Sequence, residues 1–412
     1  MQKTKNLIAK NMYFPLALGL FTLIVYIGND LVLPAMLQVT ADFGVGPEWA
    51  PTSMAAYLFG GALLASFWGP VSDQLGRRKV FLAGSAFFVV CCLFILLTKN
   101  IEQFMSLRVL QGTALTLISA VGFATVQEAY EEKQAVKVMA LMANISLLAP
   151  LLGPIVGAMM IEYVSWHWGF VGIALCAALS TIGLYKYMPE TVDLTQKQKR
   201  SIGSVIKDFM VIYTNKRFMI LALSGPIIGL PVMLWISLSP VFLIEELKLS
   251  NFGYGLSQVP VLGALIFGNL LLTRLVDRYA LGHTVIIGFV LMGIGAFVLL
   301  LGLFFTDYIL WSLILGMGTI AVGEGLSYAV MYRFALMASP VAKGTVAAAM
   351  ATVVMVFFSA MIELSKHVYL WLHFTGLWLM CALCVAAFAV FSYPLLITIM
   401  KEREQSGVTD QV

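Results

Sequence analysis

The sequence predicts an all-α membrane protein: twelve transmembrane helices in two pseudo-symmetric six-helix bundles. Three observations lead there. Hydrophobic residues fill 60% of the 412 positions and charged residues 11%, with a mean hydropathy of +0.93, which leaves no soluble globular reading. The apolar residues fall into separate stretches long enough to cross a bilayer as helices at about 1.5 Å rise per residue. One long polar interval then divides six stretches from the other six.

In order, the predicted spans cover 13–37, 50–72, 80–98, 103–128, 138–162, 166–188, 218–242, 252–276, 282–305, 308–332, 344–365 and 372–396. The first is too long and too polar at its end for a secretory signal, and no small-residue cleavage site follows it, so it is expected to stay in the mature chain. An even number of spans puts both termini on one side. With the N-terminus cytoplasmic, nearly every basic residue falls inside; Lys99, Lys248 and Lys366 fall outside, and Arg108 lies within a span. The positive-inside rule therefore predicts cytoplasmic termini. The interval 189–217 reads as a cytoplasmic linker between an N-terminal bundle, 1–188, and a C-terminal bundle, 218–412. Its Ser204–Tyr213 part fits an amphipathic helix on the membrane face or a solvated charge run.

Cys91, Cys92, Cys176, Cys381 and Cys384 all lie in apolar spans without metal-ligand partners at suitable spacing, so they read as packing residues. No metal and no cofactor are expected. Neither GxxxxGK[ST] nor HExxH nor GxSxG occurs. The chain is therefore predicted to be no enzyme, to use no ATP and to bind no nucleic acid; an ion gradient must supply the energy.

Ionisable residues inside the spans are the informative ones, because a charge at mid-membrane costs about 2.5–3.5 kcal/mol on insertion scales and normally faces a protein interior or cavity. Asp30 sits about 10 Å from the far end of span 1, and Thr22, Tyr26, Asn29 and Asp30 share one helix face at i, i+4, i+7, i+8. Arg108 in span 4 lies at a similar depth, about 7 Å below the outer surface, and Asp30 is its natural anionic partner; the alternative is that it snorkels outward. Glu324, between Gly323 and Gly325, lies about 12 Å from the cytoplasmic end of span 10; it is either a second cavity carboxylate or a hydrogen-bonded structural one. Tyr26, Tyr57, Met142, Trp235 and Tyr254 could wall a cavity for flat lipophilic guests, although any single residue of this kind is more often core than pocket.

Two signatures carry a family resemblance. After span 2, Gly69-Pro-Val-Ser-Asp-Gln-Leu-Gly-Arg-Arg78 supplies Gly69, Asp73, Gly76, Arg77 and Arg78 at the spacing G-x-x-x-D-[RK]-x-G-[RK]-[RK], with Gln74 in place of the first basic residue. A weaker echo, Asn269 to Arg278, ends span 8. In span 5, Ala149-Pro-Leu-Leu-Gly-Pro-Ile-Val-Gly157 places Pro150, Gly153, Pro154 and Gly157 where they loosen the backbone ladder and permit close helix approach. The first resembles the loop signature of the major facilitator superfamily and the second its antiporter motif, with Ala149 and Ala158 for two glycines. The resemblance implies a gating role for the first loop and export for the second motif. Glu128, at the cytoplasmic end of span 4, would face Arg77 or Arg78 across that gate or be simply solvated.

Much of the chain is also similar to the MdfA-like group of drug/proton antiporters. The carrying stretches are Tyr26-Ile-Gly-Asn-Asp30, Ile101-Glu-Gln-Phe104, Leu141-Met-Ala-Asn144, Gln258-Val-Pro260, Lys343-Gly-Thr-Val346 and Glu363-Leu-Ser-Lys-His367, while Leu107-Arg-Val-Leu-Gln-Gly112 resembles the superfamily's arginine motif in span 4. The resemblance implies that Asp30 is a protonation and cation-sensing carboxylate coupled to Arg108, and it adds Asn144 and Gln258 to the substrate-binding set of Tyr26, Asn29, Asp30, Tyr57, Met142, Trp235 and Glu324. Proton coupling would rest on Asp30, Arg108 and Glu324. One departure is Thr22, where the group carries a second acid. The expected protein is a monomeric, proton-coupled antiporter in the inner membrane, exporting small lipophilic cationic or neutral drugs, with protons, substrate and lipids as its partners. The rival readings are a dedicated exporter of one metabolite, such as a siderophore or sugar, and a proton-coupled importer.

Overall fold

The computed structural model describes residues 12–405 apart from 66, 193–201, 277 and 342. Every regular element among the described residues is helical, and the chain forms two compact units, 1–208 and 209–412.

In the first unit, α1 (Tyr13–Asp30) and α2 (Val32–Asp42) are joined through Leu31, which keeps helical dihedrals. Then come α3 (Trp49–Leu64), α4 (Trp68–Leu75), α5 (Arg77–Phe94), α6 (Ile101–Leu117), a π-helical turn over Ile118–Gly122, α7 (Phe123–Ala129), α8 (Glu132–Tyr163) and α9 (Trp166–Tyr187). The boundary between units falls within α10 (Ile202–Thr214), a helix inside the predicted linker. The second unit continues with α11 (Lys216–Ser239), a π-helical stretch over Pro240–Glu246, α12 (Asn251–Leu275), α13 (Leu281–Phe304), α14 (Ile309–Met337), α15 (Lys343–Ala387), a π-helical turn over Phe388–Ser392 and α16 (Tyr393–Gln405). Local sequence fixes several starts. The side chains of Asn100, Asn215 and Ser250 accept from Gln103 N, Phe218 N and Gly253 N and so satisfy free donors at the beginnings of α6, α11 and α12.

Among the described residues nine helices are long and apolar enough to cross a membrane unaided. The predicted twelve passes are recovered once Trp49–Leu64 and Trp68–Leu75 count as one bent pass, α8 contributes its apolar stretch Leu148–Tyr163, and the run Lys343–Glu402 is divided at His373. Two predicted boundaries are corrected. The first span does not stop near 37 but continues as helix to Asp42, so Asp30 lies about 18 Å from its far end. The loop expected over 366–371 is helical: the chain turns at His373 alone, at φ 45° and ψ −130°, with the His373 ring nitrogen Nδ1 3.0 Å from Glu246 Oε1. Lys366, read as an external loop residue, is instead buried in α15 and paired with Glu363. The polar cluster Glu363, Lys366 and His367 imitates a loop in sequence because its members pair with one another along a helix.

Exposed apolar side chains mark the surfaces that meet lipid. On α8, Leu148, Leu152, Val156 and Met159 are exposed while Ala149, Gly153 and Gly157, about 100° around the helix, are buried. Glycines set the closest helix contacts, and they do so in the same register in both units. A Cβ on Gly60 would overlap the Val109 carbonyl and one on Gly112 the Tyr57 carbonyl, locking α3 to α6. In the second unit a Cβ on Gly268 would stand 2.6 Å from Val322 O and one on Gly325 2.8 Å from Leu265 O, locking α12 to α14. Matching Gly112 to Gly325 aligns Gln111 with Glu324 and Arg108 with Ala321.

Candidate functional site

Asp30 ends α1 at 4% exposure, and the glycine–proline segment of α8 is pressed against it. A Cβ on Gly153 would lie 2.6 Å from Asp30 Cβ, and one on Gly157 would overlap the Leu31 carbonyl. Pro150 and Pro154 deprive α8 of two ladder donors in this same stretch. The two motifs that are separate in sequence therefore form one joint, in which the span 5 glycines give the Asp30 turn its room.

Arg108 is fully buried, at 0% exposure, and does not snorkel. Its Nε donates to Ser53 Oγ at 3.0 Å, Nη1 to Gln111 Oε1 at 3.0 Å and to Gly28 O at 3.3 Å, and Nη2 to Asn29 Oδ1 at 3.0 Å. The guanidinium also lies over the Tyr57 ring, 4.5 Å from its centroid, and Tyr57 Oη donates to Val25 O. Asp30 is not among its direct partners, so the expected ion pair is corrected. Asn29 stands between them, accepting from Arg108 and donating through Nδ2 to Asp30 Oδ1 at 3.0 Å. Depth along a helix had placed Asp30 and Arg108 at one level; the rotation that inserts an amide between them follows from packing. Thr22, where the resembled group has an acid, is fully buried and bonds back to Leu18 O.

Glu324 has a different setting at 8% exposure. Gly323 packs its helix against Gly288 of α13 and Gly325 against Asn269 of α12, which fixes the rotation of α14 and turns Glu324 toward α11. There its Oε1 lies 3.2 Å from where a Gly229 Cβ would stand, with Phe358 Cζ equally close to that point. Glu324 Oε2 is buried with no hydrogen-bond partner among the described residues. A fully hydrogen-bonded structural carboxyl would need a further donor at Oε2.

The other predicted wall residues are mostly tied inside their own units. Trp235 Nε1 donates to Gln258 Oε1 at 2.7 Å, and Gln258 in turn donates to Ser239 Oγ. Met142 is buried against Gly19, Tyr254 is buried, and Tyr26 is half-buried. The side chain of Asn144, on α8, lies outside the described residues.

At the other end of the first unit, Arg77 grips Glu128 with two bonds, Nε to Oε2 at 3.1 Å and Nη2 to Oε1 at 2.8 Å. Asp73 Oδ1 lies 2.8 Å from the same Nη2, and Nη1 donates to Ser72 Oγ. Gly76 joins α4 to α5 at φ 98°, a conformation that costs other residues strain. Gly69 has open space around it, so nothing within the unit requires a glycine there. Sequence reasoning missed Glu190 here. Its carboxylate accepts from Arg77 N at 2.8 Å and Arg78 N at 3.3 Å, and only the Pro189-Glu190-Thr191 exit from α9 hinted at it.

Comparison with known proteins assigns the chain to a family. The family profile of the Major Facilitator Superfamily matches residues 18–362. The chain is 53% identical over 388 residues to the chloramphenicol resistance protein CraA of Acinetobacter baumannii, covering 94% of this chain and 92% of that one. It is 44% identical over 360 residues to the multidrug transporter MdfA of Yersinia pestis, covering 87% and 88%. A solved D-xylose–proton symporter superposes with a TM-score of 0.72 at 16% identity, over 93% of this chain and 98% of that one, and shares the fold.

Proposed function

The chain belongs to the major facilitator superfamily as an MdfA-like transporter rather than an enzyme, and from that premise we propose that it is a proton-coupled exporter of small lipophilic drugs. The observation that carries the coupling is the buried Asp30 carboxylate, linked through one amide to the buried Arg108 guanidinium and seated on the Gly153 and Gly157 joint. A carboxylate in such a place is costly to keep and is favoured where a proton or cargo uses it. In this reading Asp30 alternates between proton and cargo, and Arg108 sets the balance between them. One proton moving down a 100 mV potential supplies about 2.3 kcal/mol, enough to bias a competing substrate outward.

Glu324 is the second carboxylate of the proposed pathway, suited to lipophilic cations because its Oε2 has no hydrogen-bond donor among the described residues. Tyr26, Asn29, Tyr57, Met142, Asn144, Trp235 and Gln258 complete the proposed binding set. Gly69, Asp73, Gly76, Arg77, Arg78 and Glu128 form the proposed cytoplasmic gate. The protein would work as a monomer in a bacterial inner membrane, with bundles 1–188 and 218–412 joined by the linker and both termini cytoplasmic.

Reconstitution tests this directly. In proteoliposomes loaded with a pH-sensitive dye, chloramphenicol added under a pH gradient is expected to drive proton movement. A wild-type protein that moves chloramphenicol with no accompanying proton would overturn the coupling.

A further inference from the structure

The Arg77–Glu128 pair is held at both ends by two consecutive residues far away in sequence. Glu190 carries the backbone end: α5 starts directly after Gly76 with no side-chain cap of its own, and its first two amides both donate to the Glu190 carboxylate. Thr191 carries the carboxylate end, donating its hydroxyl to Glu128 Oε2, the oxygen that also accepts from Arg77 Nε. The glycine at 76 fits this arrangement twice over, through its positive φ and because a Cβ there would stand 2.5 Å from Glu190 Oε2. Nearby, Arg78 donates to Tyr185 O in the last turn of α9 and lies over the Tyr185 ring. Glu190 and Thr191 directly follow Pro189 at the start of the polar interval that leads away from α9.

We propose that Glu190 and Thr191 are positioning residues that latch the root of the linker onto the loop between α4 and α5, setting the geometry of the Arg77–Glu128 pair on which turnover depends. The proposal rests on the transport reading above but concerns rate rather than cargo. Among the described residues, the hydrogen bonds of Glu190 and Thr191 reach neither Asp30, Asn29 nor Arg108. Loss of the latch should therefore slow the cycle while leaving substrate affinity as it was.

The test uses Glu190→Gln, Thr191→Val and Thr191→Ser in the full chain, reconstituted with chloramphenicol as probe. Glu190→Gln removes one of the two equivalent acceptors, Thr191→Val removes only the hydroxyl, and Thr191→Ser restores it. We expect the first two to lower maximal export at least about fivefold with half-saturation within about twofold, and Thr191→Ser to restore the wild-type rate. Hydrogen exchange at the Arg77 and Arg78 amides should quicken about tenfold in Glu190→Gln while the middle of α5 stays protected. Wild-type export rates in both Glu190→Gln and Thr191→Val would overturn the latch even if the amides exchange faster, because Glu190 would then be a helix cap and nothing more. Rates that fall in Thr191→Ser as far as in Thr191→Val would overturn it as well. Failure of the wild type to export chloramphenicol would count against the exporter reading; unchanged amide exchange in Glu190→Gln would then independently count against the latch.

Discussion

The two units each bury a carboxylate in an apolar helix, and they treat it in opposite ways. Asp30 accepts from Asn29, Asn29 accepts from Arg108, and Arg108 is further bound by Ser53, Gln111 and Gly28. Glu324 occupies the place that corresponds to Gln111, on helices locked by the same glycine register, yet Ala321 stands where Arg108 would be and Oε2 has no partner among the described residues. The first unit therefore ties its carboxylate into a polar network through Asn29, and the second leaves Glu324 Oε2 without a partner among the described residues. Removing the first should damage both coupling and fold; removing the second should alter selectivity and leave the fold almost untouched.

The sharpest way to break this contrast is at its centre. Asp30→Asn is expected to reduce chloramphenicol-driven proton movement in liposomes to the level of protein-free vesicles; robust proton flux from this variant would remove Asp30 from the coupling. Next in size is Arg108→Leu. It leaves Ser53, Gln111, Asn29 and the Gly28 carbonyl without their buried donor, and each buried acceptor left unsatisfied costs about 1–3 kcal/mol. A thermal melt in detergent should show the loss, and a melting temperature equal to wild type would mean that the network does not hold the first unit together.

Glu324→Gln should behave otherwise. With no hydrogen bond from Oε2 to lose, its stability should stay within about 1 kcal/mol of wild type. Transport should divide by charge: export of ethidium, a planar lipophilic cation, falls several-fold while export of neutral chloramphenicol is kept. Equal effects on the two compounds would show that Glu324 does not read cargo charge.

How far these features could be read from sequence follows their physics. The twelve passes were legible because helix-length hydropathy is a one-dimensional signal, and Asp30, Arg108 and Glu324 stood out because ionisable residues are rare inside apolar spans. Rotation about a helix axis is not one-dimensional. The insertion of Asn29 between Asp30 and Arg108, and the seating of Gly153 on Asp30, depend on how three helices turn toward one another. Glu190 was invisible for another reason: its partners lie more than a hundred positions away, and in a polar interval a carboxylate looks like an ordinary solvated group. The His373 turn was misplaced because the nearby Glu363, Lys366 and His367 read as loop chemistry while they pair within a helix.

The smallest expected effect comes from making the first unit resemble the second. Gln111→Glu puts a carboxylate where Glu324 stands in the other half, but here the Arg108 Nη1 is already within 3.0 Å of the position. A charge-assisted bond would replace a neutral acceptor and gain about 1 kcal/mol, while the lost Gln111 donation to Cys92 Sγ takes some of that back, so net stability should barely move. What should change is the hold on Asn29: an anion on Nη1 competes with the amide oxygen on Nη2, loosens the Asn29 link to Asp30, and lowers proton flux by less than about tenfold. If Gln111→Glu instead silences transport as fully as Asp30→Asn, the Arg108 network is part of the coupling step itself and does more than orient Asp30.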